Sequence, residues 1–209
     1  MSATRREASG ATRRAEHVAD TRQALVAAAR ELFTEHGFAA TGTEEIVAAA
    51  RVTRGALYHH FRDKTDLFRA VMEQVAREVA EELVAAGLAD AGAPASAWDE
   101  VRDGLSAFLD LCVVTDDFQR IVLVEGPAVL GHEAWDDLVA EFGSNLLAEW
   151  LTRAIAEGTV APVPVQPLTR LLIAMIAESS LYIARADDRP GAREAVGVAL
   201  DRLLGGLVV

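Results

Sequence analysis

The stretch from Thr43 to Lys64 constrains the fold of this chain most, because it reads as two short helices joined by a tight turn. Thr43 is a suitable N-cap for the first helix, and Thr53 is a suitable N-cap for the second. Apolar residues follow the caps at helical spacing, at Ile46, Val47, Ala50, Leu57 and Phe61. Helices this short are marginal in water by themselves. They must therefore pack on a flanking helix.

The segment before Thr43 can supply that helix. It begins near His17 or Asp20 and ends at His36, and Gly37 stands where a left-handed C-terminal residue is expected. Its apolar face consists of Leu25, Ala28, Ala29, Leu32 and Phe33. The helix that begins after Thr53 carries Arg54 and Tyr58 in its first turns. Packed on this platform, it suits the recognition helix of a helix-turn-helix.

Three motifs carry a resemblance to a known family. They are A-A-R-E-L-F-T-E-H-G-F from Ala28, T-G-T-E-E-I-V-A-A-A from Thr41, and V-T-R-G-A-L-Y-H-H-F-R-D-K-T-D-L-F from Val52. At these motifs the chain resembles the TetR-type transcriptional regulators over residues 20–70. Arg51 departs from the pattern, since most members have Gly in this turn. We expect Arg51 either to cost a little stability or to occupy a turn without positive φ.

The second helix of the pair carries the candidate DNA contacts. Arg54 can donate a bidentate pair to guanine in the major groove, and Gly55 lets the backbone come close to the DNA. Tyr58 and His60 can donate to phosphate oxygens, although His60 is equally suited to the core, and His59 can face a base or only solvent. The resemblance implies that the matching Tyr, His and Lys clamp the backbone while the first turn reads bases. The predicted DNA-binding set is Thr43, Thr53, Arg54, Gly55, Tyr58, His59, His60 and Lys64.

A third helix opens directly after this set. Asp63 and Asp66 have the spacing of a capping pair. Lys64 lies in the first turn, where the helix dipole disfavours a cation. A nearby phosphate would explain Lys64, and the alternative is a solvated lysine.

Charge is distributed unevenly along the chain. The net charge is −12, but residues 1–70 carry 11 Lys and Arg against 9 Asp and Glu, and the remainder carries 9 against 23. DNA affinity depends on local neutralisation of phosphates, so a mildly basic N-terminal part remains compatible with a DNA partner. Residues 1–15 are rich in Arg, which predicts a disordered basic tail or an arm that touches phosphates or the minor groove.

Composition excludes several other classes. The single cysteine, Cys112, rules out an internal disulfide framework. The opening residues lack the apolar core of a signal peptide, and the apolar run Leu171–Ala177 is too short to span a membrane, so a cytoplasmic protein is expected. No catalytic motif is recognisable, and His132 with Asp136 makes a poor metal pair beside Gly131. We expect no enzyme, no cofactor and no metal.

The rest of the chain reads as further helices, which makes the predicted fold all-α. The N-terminal three-helix helix-turn-helix domain spans 16–63, and a C-terminal helical ligand-binding and dimerisation domain spans 64–209. Expected helices are 64–86, 98–114, 117–124, 133–157, 168–184 and 193–207, with loops at 87–97 and 158–167. The last two helices are apolar on most faces, which indicates burial against a partner copy or, alternatively, a monomer core.

The C-terminal part also contains aromatic and isolated polar residues that suit a pocket for a small organic ligand. The predicted ligand-binding set is Trp98, Phe108, Cys112, Phe118, Glu125, Trp135, Phe142, Met175, Glu178 and Tyr182. A well-filled core is the alternative for any one of the aromatics, and an intersubunit hydrogen bond is the alternative for Glu178. The resemblance implies a ligand cavity.

These observations predict a dimeric transcriptional regulator that binds a palindromic operator in double-stranded DNA. Release from the operator by a small apolar effector would make it a repressor. The alternatives are a ligand-responsive activator, a helical small-molecule-binding protein or enzyme with a vestigial DNA head, and an architectural DNA binder.

Overall fold

The computed structural model describes residues 3–89 and 96–209, with side chains for 18–85 and 96–209. These residues form helices and one isolated bridge between Val160 and Val208, with no β-strand among them. The α-helices are α1 (Ala3–His36), α2 (Thr43–Ala49), α3 (Arg54–His60), α4 (Lys64–Ala89), α5 (Ala97–Val114), α6 (Gly126–Leu130), α7 (His132–Val139), α8 (Asn145–Ala156), α9 (Val165–Ala184) and α10 (Arg189–Gly205). Two π-helical segments are π1 (Phe118–Glu125) and π2 (Ala140–Ser144). The predicted all-α fold is confirmed.

The chain divides into two compact units, the head (Met1–Met72) and the body (Glu73–Val209). The sequence placed this boundary between residues 63 and 64, before α4. The structure places it inside α4, because Leu67 and Phe68 from its first turns are fully buried in the head.

The N-terminus also differs from the expectation of a tail over residues 1–15. Helix α1 begins at Ala3, well before the predicted start at His17 or Asp20. The added segment contains Ala, Arg and Glu, which favour helix, and no proline to interrupt it. The backbone of residues 3–15 is therefore helical, and whether this arm touches DNA stays a proposal.

The head is held together by an aromatic cluster of Phe33, Phe38 and Phe68. The ring centroids of these three residues lie 5.2–5.7 Å apart. Ile46 of α2 and Leu57 of α3 are fully buried as well. Helix α1 contacts both α2 and α3, which also contact each other. The platform required by two helices of this length is therefore present.

Arg51 lies in the turn between α2 and α3, where the sequence left open whether positive φ is needed. Its φ is +55°, in the left-handed region. The amide of Arg51 donates to the carbonyl of Ala48 at 3.2 Å, and the amide of Val52 donates to that of Val47 at 3.0 Å. This hydrogen-bond pattern is a Schellman motif, which requires a left-handed residue directly after the helix. The turn needs positive φ, and Arg51 supplies it without the freedom of glycine.

Of the two N-caps predicted for α2 and α3, one is present and the other is not. Thr53 caps α3 as predicted, because its Oγ1 accepts from the amide of Ala56 at 3.2 Å. The prediction for Thr43 was wrong, since Gly42 is the N-cap of α2 and Thr43 is already helical. Glu45, three residues after Gly42, accepts from the Gly42 amide at 2.8 Å and supplies the cap from the other side.

The body is built around α5, which contacts α8, α9 and α10. Leu109, Leu151 and Ile183 from three of these helices are almost completely buried. At the approach of α5 to α8, a Cβ on Gly104 would lie 2.9 Å from the Trp150 ring. The expected single helix over 133–157 is instead α7, π2 and α8 in succession, and residues 90–95 of the expected loop lie outside the described residues.

Helix α9 is long and apolar enough to cross a membrane by length and composition alone, although its longest apolar run is short. It contacts α5, α8 and α10 in the body. Leu172, Ile176 and Ile183 on its inner face are buried there. A core helix passes the same test of length and composition, and the inner face of α9 packs in this way, although only 28% of its apolar window is buried.

Candidate nucleic-acid interface

The outer face of α3 presents the residues predicted to contact DNA. Leu57 is fully buried and fixes the inner face, whereas Tyr58 is 45% exposed on the outer one. Arg54, Gly55 and His59 are exposed as well. A single short helix capped by Thr53 thus holds polar, hydrogen-bonding side chains outward.

Arg54 is held by a neighbouring helix. Its Nη1 donates to Oε1 of Glu44 on α2 at 2.8 Å, and its guanidinium carbon lies 5.6 Å from the centre of the Tyr58 ring. Both partners in the ion pair are about two-thirds exposed. Backbone hydrogen bonding, then Thr43 and Arg54, lowers the pKa of Glu44, so this carboxylate is ionised at neutral pH. Sequence reasoning missed Glu44.

Gly55 has no packing reason to be glycine. A Cβ at this position would meet no protein atom closer than 3.8 Å, which is ordinary contact with Thr53. The missing side chain therefore leaves space on the outside of α3, and the close approach of DNA at this position stays a prediction.

His60 lies between the two roles considered for it, since it is half-buried. Its ring is 5.3 Å from that of His59 and 6.4 Å from that of Phe61. Partial burial, with repulsion from His59 and Arg22, lowers the pKa of His60. The Arg22 guanidinium carbon lies 5.2 Å from the centre of the Phe61 ring at this edge of the head. Arg22 was not among the residues predicted from the sequence.

Lys64 is neither a solvated lysine nor freely available for a phosphate. Its Nζ donates to the carbonyls of Phe38 at 2.7 Å and Thr41 at 2.9 Å, and lies 4.2 Å from the centre of the Phe38 ring. These contacts offset the unfavourable helix dipole and tie the α1–α2 loop to α4. One ammonium donor is left for a phosphate.

The predicted capping pair before α4 is confirmed. The amide of Asp66 donates to Oδ1 of Asp63 at 2.8 Å. Oδ2 of Asp66 in turn accepts from the amide of Arg62 at 3.0 Å. The hydrogen bonds with Arg62 keep the pKa of Asp66 low, so this cap persists at neutral pH.

In the body, only part of the predicted ligand-binding set converges. The rings of Phe108 and Phe118 meet edge-to-face at 5.4 Å. Cys112 is buried nearby, and its backbone carbonyl accepts from the side-chain amide of Gln119. Ser180 neighbours the Cys112 thiol, and its hydroxyl donates to the carbonyl of Ile176 at 2.8 Å. Burial raises the pKa of the Cys112 thiol to about 11. Five of these residues lie on α5, π1 and α9, and we call them the α5–π1–α9 cluster: Phe108, Cys112, Phe118, Gln119 and Ser180.

Gln119 and Ser180 were missed by the sequence analysis. Both are buried polar residues, with exposures of 6% and 0%. Ser180 lies on the same face of α9 as Leu172 and Ile176, and that spacing is the signal that could have identified it. Gln119 lies in π1, whose register α-helical periodicity does not predict.

Four other predicted ligand residues have separate surroundings. Trp98 is buried in the main core, and Met175 packs partly buried against that core. Trp135 donates from Nε1 to the carbonyl of Val122 at 2.8 Å. Phe142 lies 5.7 Å from the guanidinium carbon of Arg77. The alternative of an ordinary core fits Trp98 best.

Glu125, Glu178 and Tyr182 do not share this interior. Glu125 is half-buried, with its carboxylate 3.9 Å from Nε of Arg120. Glu178 is exposed, and Tyr182 is 58% exposed. The predicted placement of Glu178 and Tyr182 in an internal cavity is wrong for a single chain, because these positions lie opposite the buried face of α9.

The head therefore has the architecture of a helix-turn-helix DNA-binding domain, and it is followed by a separate helical body. Comparison with known families agrees with this class. The family described as "Bacterial regulatory proteins, tetR family" matches residues 25–71, and "Tetracyclin repressor-like, C-terminal domain" matches residues 98–207. The chain belongs to the TetR family of bacterial transcriptional regulators.

Individual relatives extend the comparison. The chain is 32% identical over 122 residues to the HTH-type transcriptional repressor AcnR of Corynebacterium diphtheriae, covering 57% of this chain and 62% of that protein. A TetR-family regulator from Pectobacterium atrosepticum is 34% identical, with a TM-score of 0.74 over 93% of this chain and 97% of that one. RolR, solved with resorcinol, is 18% identical, with a TM-score of 0.68 and coverage of 91% and 90%, and shares the fold. Several curated relatives are matched over only 23–62% of their own length.

Proposed function

We propose that this protein is a cytoplasmic repressor that binds a two-fold symmetric operator as a homodimer and is released by a small apolar effector. The observation that carries the DNA-binding part is the outer face of α3, where Arg54, Tyr58 and His59 are exposed behind the Thr53 cap. Repression is supported by the similarity to AcnR, which is a transcriptional repressor.

The exposed apolar faces of α9 and α10 support the dimer. Leu171 of α9 and Leu203 of α10 are 68% and 62% exposed, and Tyr182 and Val198 are also more than half exposed. Helices α9 and α10 contact each other, so these side chains belong to neighbouring elements. Symmetric dimers bury such faces against a second copy, and a two-fold axis matches half-sites one helical turn apart or a multiple of it.

The α5–π1–α9 cluster supports an effector site between these three elements. Phe108 and Phe118 supply an aromatic wall, and Gln119 and Ser180 supply buried polar groups. Both polar groups already donate to backbone carbonyls, those of Cys112 and Ile176, so a ligand would use their oxygens as acceptors or replace these hydrogen bonds. π-Helical segments frequently occur at functional sites. The resorcinol bound by RolR is a small aromatic molecule of the kind that such a site can accept.

The proposed mechanism is a population shift. Helix α4 is continuous from Lys64 to Ala89 and belongs to both units, so a change in the body can reach the head through it. An effector that binds one arrangement of the body more tightly favours that arrangement. Release follows if the favoured arrangement places the two heads at a spacing that no longer fits the operator.

DNA recognition is tested by selecting duplexes from a random pool at several salt concentrations and sequencing what binds. We expect a two-fold symmetric site that Arg54→Ala with Tyr58→Ala no longer distinguishes from random DNA. The matched control is Arg102→Ala in the body, which should bind as the wild type does. Binding that is weak, sequence-independent and lost with salt would reject the proposal.

Effector release is tested on the selected duplex with a panel of small aromatic molecules, starting with resorcinol. A transcription assay with the same compounds separates repression from activation. We expect Phe118→Ala to weaken the response to an active compound while operator affinity in its absence is unchanged. A response unaffected by this change would place the effector elsewhere in the body.

A further inference from the structure

One acidic side chain stands among the groups that face DNA in the proposed function, on which this inference rests. Glu44 accepts from Arg54 at 2.8 Å through one carboxylate oxygen and from the Thr43 hydroxyl at 3.2 Å through the other. Tyr58 flanks the same guanidinium group on α3. The four residues form an exposed network that joins the first turn of α2 to α3.

A carboxylate at this position opposes the binding of any DNA. Its negative charge repels phosphates that approach the first turns of α2 and α3. Its ion pair with Arg54 also engages the cation that would otherwise attract those phosphates. The ion pair contributes little to folding, because water and salt screen a pair this exposed. The helix dipole favours a carboxylate in the first turn of α2, but Glu45 in the same turn has that advantage as well. Glu44 differs from Glu45 in its pair with Arg54.

The geometry of the pair leaves base recognition open. Glu44 engages Nη1 of Arg54, and a guanidinium group carries further donors on Nη2 and Nε. A guanine edge needs two parallel donors, at O6 and N7. With Glu44 on one side and the Tyr58 ring beside it, Arg54 is confined to few orientations while a pair of donors stays available.

We propose that Glu44 is a specificity-determining residue that holds Arg54 for guanine and withholds it from phosphates. Random DNA places guanine opposite Arg54 only by chance, so Arg54 mostly meets phosphates, which must compete with the carboxylate. A site with guanine at the correct position offers a bidentate contact that Arg54 makes without leaving Glu44. The pair therefore lowers affinity for random DNA more than affinity for the operator.

The experiment measures binding of the full-length protein to the selected operator and to random duplex between 50 and 200 mM salt. Glu44→Gln removes the charge and keeps a similar shape. Glu45→Gln is the matched control, because it removes a charge from the same turn while its amide oxygen can still cap Gly42. Both changes are repeated with Arg54→Ala, and circular dichroism checks that each variant is folded.

Glu44→Gln should bind random duplex more tightly and with a steeper salt dependence. One additional phosphate contact steepens the slope by about 0.9, which is an extra loss of about 3.5-fold between 50 and 200 mM salt. The operator-to-random affinity ratio should fall for Glu44→Gln and hold for Glu45→Gln. In the Arg54→Ala background, Glu44→Gln should leave the ratio unchanged.

Equal effects of Glu44→Gln and Glu45→Gln would overturn the inference, because the charge alone would then explain them. An unchanged ratio in Glu44→Gln, with the wild type still selecting a symmetric site, would overturn it while leaving the proposed function intact. A wild type that prefers no sequence would overturn both.

Discussion

Arg51 adopts a backbone conformation that few residues other than glycine tolerate, so Arg51→Gly should stabilise the head. Its φ of +55° lies in the left-handed region, which costs a residue with a Cβ roughly 1–2 kcal/mol. Glycine removes that cost but loses about 0.5–1 kcal/mol through its greater freedom in the unfolded chain. The net gain in the stability of the head is about 0.7 kcal/mol. This lowers the equilibrium constant for local unfolding of the head roughly threefold.

Hydrogen exchange by mass spectrometry reads this change where it occurs. Peptides that cover α2 and α3 should exchange about threefold more slowly in Arg51→Gly, provided that exchange follows the opening equilibrium. Body peptides serve as the internal reference, because the substitution lies outside that unit.

Arg51→Ala is the control that isolates the backbone effect. It removes the exposed arginine side chain but keeps the Cβ, so the left-handed cost remains and exchange should stay near that of the wild type. Slowing by the same factor in both variants would refute the argument, because the gain would then come from loss of the arginine side chain. No slowing in Arg51→Gly would refute it as well.

Three further predictions concern packing, anchoring and titration. Gly104→Ala should destabilise the body by about 1–3 kcal/mol in denaturant titrations, because its Cβ would lie 2.9 Å from Trp150, whereas Gly143→Ala has open space and should not. Lys64→Met should destabilise the head by about 1–3 kcal/mol in hydrogen exchange, because it removes the donor to two part-buried carbonyls. An unchanged head stability with a smaller salt dependence of DNA binding would show a phosphate role instead. The raised pKa of Cys112 means that the folded protein holds its thiol proton longer than the unfolded chain does, so stability should fall between pH 9 and about 11 by roughly 1.4 kcal/mol per pH unit. Cys112→Ala should lack this decline, and equal pH dependence in denaturant melts of both proteins would contradict the assignment.

The helix-turn-helix could be predicted because its signals are local. Thr53 as a cap, Gly37 after α1 and the apolar spacing of Ile46 and Leu57 each depend on residues a few positions apart. The exceptions show the limit of local reasoning. Thr43 has the chemistry of a cap, but Gly42 takes the position because Glu45 can reach back to it.

The candidate sites could be predicted only in part, because their contacts are distant in sequence. Lys64 binds carbonyls of residues 38 and 41, and nothing in its own neighbourhood indicates them. Glu44 and Arg54 are ten residues apart across a turn whose geometry depends on Arg51. In the body, π1 changes the helical register, so α-helical spacing does not identify Gln119 as buried.

The placement of the tryptophans gives the two units separate optical signals. Trp98, Trp135 and Trp150 all lie in the body, where one is buried in the core, one donates to a carbonyl and one packs over Gly104. The head contains no tryptophan, and its one tyrosine is Tyr58 on α3. Indole fluorescence of the unlabelled protein would therefore report on unfolding of the body and on binding of the proposed effector there. Quenching of the Tyr58 phenol by DNA bases would report on the head once Tyr182, the tyrosine of the body, is replaced by phenylalanine.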